Sequence, residues 1–84
     1  MSADNMIGIL QTDCHEFRVA YVTYPQLENN EKIYEAFKNS NVYNHKTDAY
    51  IAADFIADRE GWENLEYGIR KIKIPENFSK LKNS

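Results

Sequence analysis

Met1-Ser2-Ala3-Asp4-Asn5 runs through Met6 into Ile7-Gly8-Ile9-Leu10, and far along the chain Glu66-Tyr67-Gly68-Ile69 repeats the same Xaa-Gly-Ile texture. Both stretches read as β-strands, the first through Ile7 and Ile9 and the second through Tyr67 and Ile69, with no proline in either. Two strands of matched character at opposite ends predict a sheet in which the first and last strands are neighbours. The apolar run so near the starting methionine predicts a fold that begins almost at residue 1, with no leader before it. Between the two strands no catalytic constellation is recognisable.

Working outward, residues 6–11 form the first strand and the polar Thr12-Asp13-Cys14-His15 a turn. Residues 16–23 form the second strand, completing a hairpin. In that second strand Phe17, Val19, Tyr21 and Thr23 share one side, and Arg18, Ala20, Val22 and Tyr24 the other. Pro25 ends it, because proline has no N–H for the ladder. Residues 31–39 have helical texture, with Asn30 as N-cap, Glu31 in the first turn and an Ile33/Ala36/Phe37 stripe. Residues 41–44 read as a short third strand. Thr47 caps a second helix through about residue 59, with Ala49, Ala52, Ala53, Ile56 and Ala57 along one side. Tyr50, Ile51 and Phe55 extend that side or form a second one. Gly61 sits where a helix C′ glycine belongs. The last strand, residues 65–74, changes face between Ile69 and Ile72, which predicts a bulge near Arg70-Lys71 or a change of partner there.

The fold expected is therefore α+β, with a mainly antiparallel sheet of three to four strands and two helices packed on one face. Residues 1–75 make a single domain and residues 76–84 a mobile basic tail. A chain of 84 residues buries only about 60–65% of its unfolded surface, so the core is small. Six Tyr, four Phe and one Trp supply enough apolar surface to exclude disorder. The single cysteine, Cys14, excludes an internal disulfide and suits a reducing compartment. No stretch approaches the roughly 18 apolar residues of a membrane span, so a cytoplasmic protein without membrane contact is expected.

Charge is unevenly placed. Residues 1–66 hold twelve acids against five bases, and residues 67–84 five bases against one acid. An acidic body disfavours direct nucleic-acid binding, which depends on neutralising phosphates. The acidic pairs Glu31/Glu35 and Asp54/Asp58 fall at helical spacing and are either solvated helix faces or local mimics of phosphate spacing. Tyr21, Tyr24, Tyr34, Tyr43, Tyr50 and Trp62 are the aromatic candidates for partner contact. Of these, Tyr21 and Trp62 are expected in the core, while Tyr24, Tyr34 and Tyr43 flank connectors and belong at the surface.

Asp13-Cys14-His15-Glu16 brings four polar groups together, with only His45 available at a distance. Neighbours in a tight hairpin point apart, so neither a zinc site nor a Cys–His nucleophile is expected, and no cofactor is called for. Gly8 and Gly68 fit no phosphate-binding loop and mark a bulge or a close backbone approach. Arg18, Arg70 and Lys71 could hold a phosphorylated small ligand if their strands adjoin.

Ser2-Ala3-Asp4-Asn5, Ile7 and Ile9, Phe17-Arg18-Val19-Ala20, Glu28-Asn29 and Glu66-Tyr67-Gly68-Ile69 together resemble a group of small bacteriophage and prophage proteins. The chain departs from that pattern at Met6, where glycine is expected, and at Gly8, where an aromatic is expected. The resemblance spans most of the first 70 residues thinly and carries no catalytic residues. It implies an accessory protein that disables a host defence, anti-CRISPR proteins among them, by stoichiometric binding rather than chemistry. The expected partner is a host defence protein such as a CRISPR effector. The candidate contact residues are Tyr24, Tyr34 and Tyr43 with Glu31, Glu35, Asp54 and Asp58. A nucleotide second-messenger sponge using Arg18, Arg70 and Lys71 is the alternative, an enzyme is the least expected class, and a homodimer through a free strand edge is possible.

Overall fold

Residues 6–10 are buried without interruption, a pattern that belongs to a strand covered on both faces. The computed structural model describes residues 4–72. They form β1 (Asn5–Asp13), β2 (Glu16–Thr23), α1 (Asn30–Phe37), β3 (Asn41–Tyr43), α2 (Lys46–Glu60) and β4 (Ile69–Ile72). Short 3₁₀ turns lie at Tyr24–Leu27 and Trp62–Asn64. The sheet order is β3-β2-β1-β4. Its β3–β2 and β2–β1 joints are antiparallel and its β1–β4 joint is parallel. The α+β class and the mainly antiparallel sheet are as the sequence predicts, and the first and last strands are indeed neighbours.

The two helices, expected on one face, lie on opposite faces. α1 brings Ile33 and Phe37 onto Met6, Leu10, Val22 and Ile72. α2 brings Ala49, Ala53 and Ala57 onto Ile7, Ile9, Phe17 and Val19. The cause is the two-residue period of a strand: β1 and β2 are apolar at odd and even positions alike, so each side demands its own cover. The same fact removes the need for a bulge in β4. Ile69 packs on the α2 side and Ile72 on the α1 side, and the ladder runs regularly from Ile7↔Ile69 to Leu10↔Ile72. A register shift occurs instead beside the hairpin turn, between Gln11 and Asp13.

Asn5 fastens the two ends of the described chain together. Its carbonyl accepts from Tyr67 N–H at 3.2 Å, its side-chain oxygen accepts from Glu66 N–H at 3.1 Å, and its amide nitrogen donates to the Tyr21 hydroxyl. Gly68, in the left-handed region at φ 65°, then turns the chain into β4, so the strand starts at Ile69 rather than at residue 65. Leu65 is buried against the α2 layer ahead of that turn.

Helix ends follow local chemistry with small shifts from expectation. The N-cap of α1 is Asn29, not Asn30: its side-chain oxygen accepts from Lys32 N–H at 2.9 Å. Asn29→Ala is expected to cost about 1 kcal/mol, read as a lower urea midpoint at unchanged slope. An unchanged midpoint would mean that packing alone holds this end. The N-cap of α2 is His45, two residues before the expected Thr47; it is extended and makes no side-chain cap bond, so packing rather than capping holds this end. Gly61, at φ 92°, closes it by donating to Ala57 O at 2.9 Å.

Among the described residues no helix is long and apolar enough to cross a membrane. The expected end of the last strand at Ile74-Pro75 and the basic tail of residues 76–84 lie outside the described residues.

Candidate functional site

α2 packs small side chains inward and leaves large ones outside. Ala49, Ala53 and Ala57 are completely buried, while Phe55 is 69% and Ile51 62% exposed. A helix that approaches a sheet through alanines sits close to it. Ile51 and Phe55, at i and i+4, form an apolar pair on the side turned away from the core. Water contact of this kind gains nothing for folding, so its presence needs another reason.

Beside that pair lies an open groove of about 550 Å³, lined by Asn41 and Tyr43 of β3 and by Asp48, Ile51, Ala52, Phe55, Ile56 and Arg59 of α2. Its floor is apolar. Asp48 and Arg59 stand at its two ends, eleven positions and so about 16 Å apart along the helix. Arg59 Nε is 3.7 Å from the Glu60 carboxylate. Asp54 and Asp58 are exposed on α2 outside the groove lining, and Asp58 accepts from the Trp62 indole N–H at 2.7 Å. Lys46 Nζ lies 6.0 Å from the centre of the Tyr50 ring, a cation–π contact. Such a surface can bury apolar side chains and offers one carboxylate and one guanidinium to a partner's charges.

A second recess opens on the α1 side. Tyr24 and Tyr67 stack obliquely, ring centres 5.3 Å apart at 53°, beside a hollow of about 400 Å³ completed by Met6, Leu27, Arg70 and Ile72. Arg70 Nε donates to Tyr67 O at 2.9 Å. Partial burial pushes the Tyr67 hydroxyl above its ordinary pKa, and the nearby Glu66 and Asp4 carboxylates push it further the same way. Asp4 and Glu28 line the adjoining hollow together with Tyr24 and Tyr67, so the aromatic pair has carboxylates on that side.

The residues singled out in the sequence are divided between these regions. Tyr43 lines the α2 groove, while Asp54 and Asp58 are exposed on α2 outside its lining. Tyr24 is exposed in the other recess. Tyr34 is half-buried against the α1-side core. Glu31 is exposed on α1, and Glu35 pairs with Lys38 at 3.0 Å, a contact that raises the Lys38 pKa. The two acidic pairs therefore stand on opposite layers and form no single charged track. Tyr21 and Trp62, expected in the core, are 41% and 47% exposed. The alanine stripe and the aliphatic strand residues already fill the α2 layer, so neither ring is needed there.

Arg18, Arg70 and Lys71 do not converge. Arg18 is buried under the end of α1, where Nη1 donates to Phe37 O at 3.3 Å and Nε lies 3.5 Å from Glu16. Arg70 pairs with Gly8 on the α1 side, and Lys71 with Ile9 on the other. Cys14 is exposed in the hairpin turn, and its thiol donates to Asp13 Oδ1 at 3.3 Å. Among the described residues no hydrogen bond joins Cys14, His15 and His45, and no group of three or more His, Cys, Asp or Glu could hold a metal ion.

Ile51 and Phe55 are the site residues that sequence reasoning missed. Their signal was present: α2 is apolar around most of its circumference, more than one buried stripe can use. With the geometry in hand, comparison with protein-family models, curated proteins and solved structures gives no match to this chain.

Proposed function

We propose that this chain is a non-enzymatic binding protein that seats the Ile51–Phe55 face of α2 against an apolar, basic-edged surface of a protein partner. The observation that carries this reading is the inversion of size on α2, alanines inside and large apolar side chains outside. Exposed neighbours of that kind are the anchors from which interfaces draw most of their affinity. The excess of acids over bases in residues 1–66 favours a cationic partner surface and speeds encounter with it. The resemblance to small phage proteins gives the reading its biological form: stoichiometric inhibition, in the bacterial cytoplasm, of a host defence protein such as a CRISPR effector.

The test is co-purification of the tagged full-length protein from bacterial cells, followed by native mass spectrometry. A single protein recovered in fixed ratio is expected. Recovery of none, or turnover of a metabolite by the purified chain, would overturn the reading.

A second reading draws on the Tyr24–Tyr67 pair and Arg70, which together offer ring stacking and one cation to a nucleotide-like ligand. A thermal-shift screen against cyclic and ADP-ribose-type nucleotides decides it. A ligand at about 100 times its Kd would stabilise the fold by about 2.7 kcal/mol, and a flat screen removes this option.

A further inference from the structure

We infer that the occupant of the α2–β3 groove is an extended segment of the partner that pairs with the outer edge of β3 as a fifth strand. It would carry apolar side chains at alternate positions and a lysine or arginine where it meets Asp48. This inference rests on the protein-binding reading above.

β3 is a terminal strand of the sheet. Among the described residues nothing pairs with its outer side. In an antiparallel strand alternate residues turn both N–H and C=O away from their partner, so β3 presents main-chain donors and acceptors at the groove's border. An unpaired edge of this kind is a template for another strand.

The side-chain geometry agrees with that mode. Asn41 and Tyr43 pair with Val19 and Phe17, whose side chains lie on the α2 side. Every second residue of an added strand would therefore point the same way, beside Ala52, Phe55 and Ile56 of α2. The distance of about 16 Å between Asp48 and Arg59 matches an extended segment of about five residues. A helix would meet Ile51 and Phe55 but leave the β3 edge unused.

Charge selects the sequence of the segment. Asp48 is exposed and has no hydrogen bond or ion pair among the described residues. At the far end Arg59 already has Glu60 beside it. The carboxylate of the groove is Asp48, in the first turn of α2, and a cation of the partner placed beside it is attracted.

The experiment is selection of random short peptides displayed on phage against the full-length protein, with Phe55→Ser as the counter-target. Amide hydrogen exchange is then measured on the protein with a selected synthetic peptide bound. The expected result is enrichment of period-two apolar sequences flanked by Lys or Arg, with exchange slowed about tenfold or more at amides within residues 41–43. Asp48→Lys should weaken the same peptide about tenfold. Enriched sequences with apolar residues three and four apart, leaving residues 41–43 unprotected, would make the occupant a helix and overturn the inference while leaving the protein-binding reading standing. Equal enrichment on Phe55→Ser, or none on either, overturns the inference, and the fixed-ratio co-purification then decides the wider reading by itself. A dimer seen by sedimentation and dispersed by Phe55→Ser would place a second copy in the groove, which also overturns it.

Discussion

Phe37→Ala is expected to remove about 3–5 kcal/mol of folding stability. A domain of this length holds about 4–13 kcal/mol in total, so the variant should be largely unfolded under mild denaturant. The reason is the position of one ring. Phe37 is completely buried at the end of α1, and its tip lies over the backbone of Gly8, between Val22 and Ile72. A methyl group added at residue 8 would stand 2.9 Å from Phe37 Cζ, 3.1 Å from Ile72 Cγ1 and 3.2 Å from Val22 Cγ2. Gly8 therefore lets α1 approach β1, and its role is close contact rather than an unusual backbone angle. Gly8→Ala should cost about 1–3 kcal/mol by overpacking, despite the smaller entropy loss of alanine. The two positions must be coupled. In a Phe37→Leu background, where the ring tip is gone, Gly8→Ala should cost at least about 1 kcal/mol less than in the parent. Urea unfolding of the four proteins measures this, and strictly additive losses would show that ring and glycine do not meet.

Ile51→Ser with Phe55→Ser is expected to weaken partner binding at least about 100-fold, since two anchor residues each contribute about 2 kcal/mol or more. Stability should change by no more than about 1 kcal/mol, set mainly by the helix propensity of serine, because neither side chain belongs to the core. The contrast with Ala53→Leu is instructive. Ala53 is completely buried between α2 and the sheet, so a leucine there should destabilise by about 1–3 kcal/mol without touching the exposed face. Tyr24→Ser supplies the control for position, since Tyr24 lies in the recess on the other side of the sheet. Titration of each variant against the co-purified partner separates the possibilities. Loss of affinity in Tyr24→Ser with retention in the α2 variant would move the interface to the α1 side.

The division between what could be read early and what could not has identifiable causes. β2 was legible to the residue, because Phe17, Val19, Tyr21, Val22 and Thr23 are β-formers and the run is bounded by a turn and by Pro25. Neighbouring terminal strands were legible from the shared Xaa-Gly-Ile texture, and the structure adds the mechanism: Asn5 bonds to both Glu66 and Tyr67. Two helices on one face was a misreading of a visible signal. Five consecutive buried residues in β1 contain no alternation, and a strand without alternation needs covering twice. Tyr24, Tyr34 and Tyr43 drew attention as contact residues for their type and their place beside connectors, and Tyr24 is indeed exposed. Yet Tyr34 and Tyr43 are half-buried, while the exposed anchors on α2 are an isoleucine and a phenylalanine.

Local sequence determined where strands and helices begin and end to within a few residues, because turn residues, caps and prolines act on the backbone beside them. It also determined the acidic balance of the body and the glycine that a close approach requires. Only the tertiary structure decided whether Ile51 and Phe55 extend the alanine side of α2 that lies against the sheet or stand apart from it. Alanines and larger apolar residues occupy that helix nearly all the way round, and periodicity cannot choose between two apolar sides. The choice was made by distance: the alanine side permits close contact with Ile7, Ile9 and Val19, and Ile51 and Phe55 are left facing water.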